Sequence, residues 1–303
     1  TLNFLGRVRL NRYVYASQFD PLRRERWRDP YSNRALGRFG EMARTARENF
    51  VTLVYALNPG ASLRYASDDD FAALTAKLKA LASVGVTEFV LAFEDAPAQL
   101  QDETDRGRFQ TLAAAQNFWL RRVEEWLKGE CPTCRLSFVP ANPLNPAARQ
   151  VYLQELGPNL PATITLVALS NESFLPEYTL SQAQELGKFT GRRPLLWNSV
   201  QAYEQAGARL FLGAKRNEAS NLPQSVSGML LIPASPVYAL RLPLTTAAEY
   251  AWDSRNYDPA RAWENALNLL YDERSRAGVR LWARVYGGND FTGSHSAGQR
   301  SNA

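Results

Sequence analysis

Short apolar runs alternate with amphipathic helical segments along almost the whole chain, and this alternation most strongly constrains the fold. Runs typical of strands cover residues 11–17, 50–58, 88–95, 136–141, 164–169, 193–200 and 228–233. Helical patterns cover residues 35–49, 68–84, 108–128, 147–156, 180–190, 247–252 and 259–271. Strands that alternate with helices over this length predict a parallel sheet covered by helices.

The kind of α/β fold follows from the strand count and from two absent motifs. The chain contains neither GxGxxG nor GxxxxGK[ST], so a barrel is favoured over a nucleotide-binding fold. Seven strands are one fewer than a (β/α)8 barrel needs, and residues 1–10 resemble the end of a helix. We therefore predict a TIM-type (β/α)8-like barrel over residues 1–245 whose first strand is missing from this chain. Short C-terminal helices over 246–286 and a flexible polar tail over 287–303 are predicted to follow.

The charge pattern argues against nucleic acid and membrane partners. The net charge is +5, but the basic residues are scattered, and the densest group, Arg23, Arg24, Arg26 and Arg28, is interleaved with acids. No run of like charges resembles a nucleic-acid-binding tail. No apolar stretch is long enough to span a bilayer. We predict no nucleic-acid partner and no membrane span.

Histidine and cysteine are too few for an evident metal or triad site. The single histidine, His295, lies in the Gly/Ser-rich tail, and the acidic residues 68–70 suit the first turn of a helix. Cys131 and Cys134 form one CxxC, which is half of a zinc site. A local disulfide, two free thiols, and a metal or redox role all remain open for this pair. We predict no metal ion and no organic cofactor.

Two adjacent carboxylates follow the third predicted strand. Residues 87–96 read TEFVLAFEDA, an apolar run suited to a strand buried on both faces that leads into Glu94 and Asp95. Active sites of barrels lie at the carboxyl ends of the strands, and a carboxylate pair there suits glycoside hydrolysis. The alternative is that Asp95 caps the next helix.

The order of motifs along the chain resembles the catalytic barrel of glycoside hydrolase family 84. That family contains the O-GlcNAcases and bacterial N-acetylglucosaminidases, some of them called hyaluronidases. The matching stretches cover almost the whole chain in the right order: LNRYVYA (10–16), WRDPY (27–31), ALNPG (56–60), FED (93–95), PLLWN (194–198), RLFLG (209–213), AEYAW (248–252) and YDPARAW (257–263).

The resemblance implies retaining, substrate-assisted hydrolysis of a β-linked N-acetylhexosamine through an oxazoline. By position, Glu94 corresponds to the family's first Asp, which polarises the acetamido N–H of the sugar. Asp95 corresponds to the second Asp, the general acid and then general base. Neighbouring carboxylates separate their pKa values, which suits two groups with different roles. The implied partner is a glycan or glycoprotein that carries N-acetylhexosamine.

Several positions depart from the family pattern. Glu94 is one methylene longer than the family's Asp, and the first strand with its Gly-rich sugar-binding segment is absent. Substitutions at sugar-binding positions place Gln18 for a Lys, Ser199 for an Asn, Glu204 for an Asp and Ala234 for an Asn. A Tyr near the end of the fourth strand is replaced within residues 141–143.

The candidate substrate-binding residues are Trp197, Ser199, Glu204, Gln18 and Asn142. Trp197 could equally form a pocket wall or pack in the core. Asn58 and Asn142 both close strands, where asparagine suits a turn. The remaining tryptophans on helical faces are predicted to be core residues: Trp119, Trp126, Trp252 and Trp263.

Two functions are consistent with this sequence. One is an active glycosidase with altered specificity. The other is a degenerate barrel that binds a sugar or a protein partner, because each lost polar contact weakens the transition state. An open acidic site around Asp95 favours the first. A site filled by Phe93, Trp197 or residues 141–143 favours the second.

Overall fold

The computed structural model describes residues 1–141, 145–169, 179–200, 212–216, 219–233, 238 and 240–286. Within them, seven strands alternate with helices: β1 Arg12–Tyr15, β2 Thr52–Leu57, β3 Glu88–Ala92, β4 Arg135–Val139, β5 Thr165–Leu169, β6 Leu195–Val200 and β7 Gly228–Pro233. The helices are α1 Leu2–Arg7, α2 Asn33–Glu48, α3 Asp68–Ser83, α4 Glu103–Arg108, α5 Leu112–Glu130, α6 Pro146–Asn159, α7 Leu180–Thr190, α8 Arg241–Trp252, α9 Pro259–Leu270 and α10 Glu273–Tyr286. Short 3-10 turns η1 Pro21–Arg23, η2 Gly60–Ser62 and η3 Leu222–Gln224 complete the described elements.

The strands pair in parallel with their neighbours in the sequence. β1 pairs with β2, β2 with β3, β3 with β4 and β4 with β5, and β6 pairs with β7. Such pairing requires a crossover between successive strands, which the intervening α-helices provide from β1 to β5. The predicted TIM-type class, with C-terminal helices after the last strand, is therefore confirmed.

The chain forms two compact units, residues 1–168 with 186–194, and residues 169–185 with 195–303. In the first unit, strands β2 and β3 are almost entirely buried, as continuous apolar runs covered on both faces should be. In the second unit, α9 packs its Trp263 into a cluster with Leu212 and Leu242, and the indole Nε1 donates to Leu212 O at 2.7 Å. The predicted boundary at residue 245 stays a prediction, and helix α8 runs through it.

Side-chain caps fix where several helices begin. Ser32, Ser67 and Thr111 each accept a backbone N–H in the first turn of α2, α3 and α5, respectively. The Thr111 cap explains one wrong prediction. The sequence suggested one helix from residue 108, whereas α4 ends at Arg108, Phe109 is extended, and α5 begins at Leu112.

Other predictions are corrected or resolved by the structure. α8 begins six residues before the predicted start at 247, and α10 lies within the range 246–286 predicted for C-terminal helices although no separate helical pattern was assigned to it. Trp119 and Trp263 are buried as expected, but Trp252 is 60% exposed because it ends helix α8 at the surface. Cys131 and Cys134 form a disulfide directly after α5, so the first of the three alternatives holds. The predicted tail, including His295, lies outside the described residues.

Candidate active site

Glu94 and Asp95 lie in a turn directly beyond the carboxyl end of β3. The strand ends at Ala92, two residues before the acids rather than at Asp95 as predicted. Phe93 N donates to Val139 O at 2.9 Å, and Ala96 N donates to Phe93 O at 2.9 Å, which closes the turn. The next helix, α4, begins at Glu103 with Asp102 as its cap, so the alternative of Asp95 as a helix cap is wrong.

Phe93 does not obstruct the acids. Its side chain is fully buried, and its ring packs 5.4 Å from Phe138 and 6.1 Å from Tyr65, measured between centroids. The side chain of Asp95, by contrast, is 48% exposed. In this turn, the ring of Phe93 therefore packs in the core, whereas the carboxylate of Asp95 is exposed to solvent.

Asn58 links the two carboxylates. It follows β2 directly, and its side-chain Nδ2 donates to Glu94 Oε1 at 3.1 Å and to Asp95 Oδ2 at 2.9 Å. Its Oδ1 accepts from Gly60 N at 3.0 Å, which is the turn role expected from the sequence. The link to the acids was not predicted, because it depends on how β2 and β3 pair.

Arg24 forms an ion pair with Asp95. Its Nη2 lies 2.7 Å from Asp95 Oδ2, and its side chain is 34% exposed. The residue belongs to the loop between β1 and α2, where the sequence shows only a group of arginines. No pattern in the sequence distinguishes Arg24 from Arg26, which pairs instead with Asp29.

Buried and part-buried polar contacts anchor this loop between β1 and α2. Asp20 Oδ2 accepts from the hydroxyl of Tyr31 at 2.5 Å and from that of Tyr15 at 3.0 Å. Burial, reinforced by Asp20, raises the pKa of Tyr15 to about 12, so its hydroxyl remains a donor. Arg23 is buried and donates to Ala56 O at 3.0 Å and to Ser17 O at 3.2 Å, which ties the ends of β1 and β2 together. These contacts therefore fix the backbone of the loop from which the Arg24 side chain extends.

The electrostatics of Glu94 are set mainly by burial. Among the described residues, no group donates to Glu94 Oε2, and this oxygen has less than 1 Å² of accessible surface. Burial raises the pKa of the Glu94 carboxyl, and the neighbouring Asp95 raises it further, against the opposing effect of its own backbone N–H and of Arg23 and Arg24. A buried carboxylate oxygen without a donor is costly unless a ligand supplies one.

The other predicted site residues are distributed as follows. Gln18 is exposed in the turn after β1, in the first unit. Trp197 and Ser199 lie on β6 in the second unit, where the side chain of Trp197 is half-buried. Asn142 and Glu204 lie outside the described residues. The structure thus brings together Glu94, Asp95 and Asn58, while the substrate-binding assignments stay predictions.

The second unit has a buried polar contact that the sequence did not suggest. Lys215 Nζ donates to Asn198 Oδ1, on β6, at 3.2 Å, and both residues are buried. Thr246 Oγ1 accepts from Lys215 N at 2.9 Å, and Lys215 O accepts from Tyr257 OH at 2.6 Å. These contacts hold Lys215 in place within the second unit.

The described part of the chain contains neither a cluster of metal ligands nor a helix suited to a membrane span. No group of three or more His, Cys, Asp or Glu residues there could hold a metal ion. None of the helices described is both long and apolar enough to cross a membrane. The carboxylates of Glu94 and Asp95, one buried and one exposed, can together transfer a proton and accept an N–H from a ligand.

Comparison with known proteins decides the family. The model of the β-N-acetylglucosaminidase family matches residues 1–283. The chain belongs to this family. It is 26% identical over 265 residues to Protein O-GlcNAcase of Rattus norvegicus and, equally, to that of Mus musculus, covering 85% of this chain and 28% of each relative.

Solved structures agree with this assignment. An Asp-to-Asn mutant of the Thermobaculum terrenum O-GlcNAc hydrolase superposes with a TM-score of 0.88 at 27% identity, covering 98% of this chain and 64% of that one. The protein called CpGH84B superposes with a TM-score of 0.81 at 25% identity, covering 93% of this chain and 49% of that one. This β-N-acetylglucosaminidase family member therefore spans about half to two thirds of the solved structures that it matches and less of the curated relatives.

Proposed function

We propose that this chain hydrolyses β-linked N-acetylglucosamine, or a related acetamido sugar, with retention of configuration and with the acetamido group of the substrate as nucleophile. The observation that carries the proposal is the pair Glu94 and Asp95 beyond β3, bridged by Asn58 and differing sharply in burial. Membership of the β-N-acetylglucosaminidase family supports the choice of sugar.

Glu94 has the features needed to orient the acetamido group. Its Oε2 receives no donor from the described residues but has less than 1 Å² of accessible surface, so it can accept the N–H of the substrate when binding of the sugar uncovers it. A hydrogen bond from that N–H to a carboxylate increases the negative charge on the acetamido oxygen, which then attacks the anomeric carbon. The new C–O bond closes the oxazoline ring as the bond from the anomeric carbon to the leaving oxygen breaks.

Asp95 has the exposure needed to exchange protons with substrate and water. In the first step it gives a proton to the leaving oxygen. In the second step its carboxylate takes a proton from water, whose oxygen attacks the anomeric carbon and reopens the oxazoline. Two displacements at one carbon give overall retention. The side chain of Asp95 is 48% exposed, which leaves it within reach of both partners.

The test is release of 4-methylumbelliferone from its β-N-acetylglucosaminide by the wild type and by Asp95→Asn. We expect turnover by the wild type and a loss of about 100-fold or more in the variant, the scale of general acid–base catalysis. Asp29→Asn is the matched control, since Asp29 pairs with Arg26 in the loop between β1 and α2. If the folded wild type binds an oxazoline mimic without any turnover, the proposal fails and the degenerate binding barrel replaces it.

A further inference from the structure

The amide of Asn58 lies between the two carboxylates that are proposed to act on the sugar. Its Nδ2 donates to Glu94 Oε1 at 3.1 Å and to Asp95 Oδ2 at 2.9 Å. A primary amide has two N–H donors, so each acid takes one of them. The contact therefore sets the separation of the two carboxylates as well as their orientation.

The direction of this amide is fixed from its other side. Asn58 Oδ1 accepts from Gly60 N at 3.0 Å, and Asn58 N donates to Arg23 O at 2.8 Å. The residue Asn58 is only 2% exposed, and Gly60 has a φ of +56°, which favours glycine. A reversed amide would direct its oxygen at two carboxylates and its NH2 group at an N–H donor. The donor side of Asn58 must therefore face the acids.

The contacts divide the four carboxylate oxygens into occupied and available ones. Asp95 Oδ2 accepts from both Asn58 and Arg24, and Glu94 Oε1 accepts from Asn58. Among the described residues, no donor reaches Glu94 Oε2, and the hydrogen bonds to Asp95 all end on Oδ2. One oxygen of each acid thus accepts no hydrogen bond from the described residues, and that of Glu94 is buried.

We propose that Asn58 is a positioning residue for the reaction. By occupying Glu94 Oε1 and Asp95 Oδ2, it leaves Glu94 Oε2 for the acetamido N–H of a sugar that uncovers this oxygen on binding, and Asp95 Oδ1 for the glycosidic oxygen. The assignment of these roles rests on the proposed function, whereas the bridge itself is a contact of the structure. The bridge also holds the end of the Glu94 side chain, which is one methylene longer than the Asp of the family pattern.

The substitution Asn58→Asp distinguishes the proposed positioning of the carboxylates from the contribution of Asn58 to the turn at Gly60. Aspartate keeps the oxygen that accepts from Gly60 N, so the turn survives, but it replaces the NH2 donor by an acceptor. We expect kcat to fall about 10- to 100-fold, because small displacements of reacting groups have effects of this size. We also expect the acidic limb of kcat/KM to move to higher pH. The pKa of Glu94 is then raised by a second neighbouring acid as well as by Asp95, against the lowering effects of its own backbone N–H and of Arg23 and Arg24.

Asn117→Asp is the matched control. Asn117 is a buried asparagine on α5 whose Nδ2 donates to Leu156 O at 3.2 Å, away from the carboxylate pair. It should lose stability while keeping the wild-type pH profile. A ¹³C NMR titration of the carboxyl groups tests the hydrogen bonds of Asn58 independently of catalysis. The Glu94 resonance is assigned by its loss in Glu94→Gln. The Glu94 pKa should rise in Asn58→Asp and stay unchanged in Asn117→Asp.

The outcomes distinguish this proposal from the one on which it rests. A folded Asn58→Asp protein with the wild-type kcat, the wild-type acidic limb and an unchanged Glu94 titration would overturn the positioning role alone. A folded wild type without turnover would overturn the proposed function, and the positioning role with it. Reduced kcat in Asn58→Asp with the shifted limb, and neither in Asn117→Asp, supports both.

Discussion

Replacement of Glu94 by glutamine tests whether its charge acts on the substrate. Glutamine has the same length and retains an oxygen that can accept from Asn58, but it carries no charge. In the structure, Glu94 Oε2 is buried and receives no hydrogen bond from the described residues. A substrate N–H at this oxygen would form one charge-assisted hydrogen bond, and this bond is what the substitution removes.

The size of the effect follows from that single bond. Hydrogen bonds to charged groups contribute about 1.5–3 kcal/mol, and each ~1.36 kcal/mol is a factor of ten in rate, so kcat/KM should fall about 10- to 150-fold. The pH dependence follows from burial, which raises the pKa of Glu94 above its usual 4.5. Because the proposed role needs the carboxylate, wild-type kcat/KM should fall as the pH falls through the raised pKa. The glutamine variant should lack this limb.

The assay is kcat/KM for 4-methylumbelliferyl β-N-acetylglucosaminide between about pH 4 and pH 8. Glu88→Gln is the control, since Glu88 begins the same strand and pairs with Arg12 at 2.6 Å. It should keep the wild-type rate and profile. A Glu94→Gln protein that keeps both the wild-type rate and the acidic limb would refute the role assigned to Glu94.

Three further predictions concern stability and the ion pair. Because the pKa of Glu94 is raised in the folded state, its contribution to stability is fully present below pH 4.5 and is lost as the pH rises through the raised pKa. Glu94→Gln should therefore raise the Tm at pH 7. In calorimetry, this increase in Tm over the wild type should disappear below pH 4.5. Arg24→Ala should lower kcat about tenfold by releasing Asp95 but change the unfolding free energy by only about 0–1 kcal/mol, since the pair is partly exposed, while Arg26→Ala should change neither. Gly157→Ala should destabilise by about 1–3 kcal/mol in urea unfolding, because its Cβ would lie 2.4 Å from Thr190 Cα, whereas Gly129→Ala on α5 meets nothing within 4 Å and should be neutral or stabilising.

Much of the fold could be predicted from periodicity. β7 and α7 lie at their predicted bounds, and Gly191, with a φ of +65°, follows α7 as expected for a helix end. The errors have local causes. The Thr111 cap interrupts a run whose pattern is that of one helix, and the many charged residues of α10 hide the apolar stripe that would have given it separate bounds.

The candidate site was predicted only where its residues are adjacent in the sequence. Glu94 and Asp95 are adjacent and directly follow an apolar run, and this order alone predicts that they lie at the end of a strand. Asn58 and Arg24 are 37 and 71 residues before Asp95, so their contacts with it arise only when β1, β2 and β3 align. The turn-forming pattern at Asn58 indicated the half of its role that is local.

The sequence by itself determined the class of fold, the carboxylate pair and the family, because periodicity, adjacency and motif order are properties of one dimension. Only the tertiary structure decided which carboxylate is buried and which is exposed, and which oxygens Asn58 and Arg24 occupy. Burial and hydrogen bonding depend on strands that are distant in the chain packing side by side. That packing is what gives two adjacent, chemically similar acids different environments and suits them to different roles.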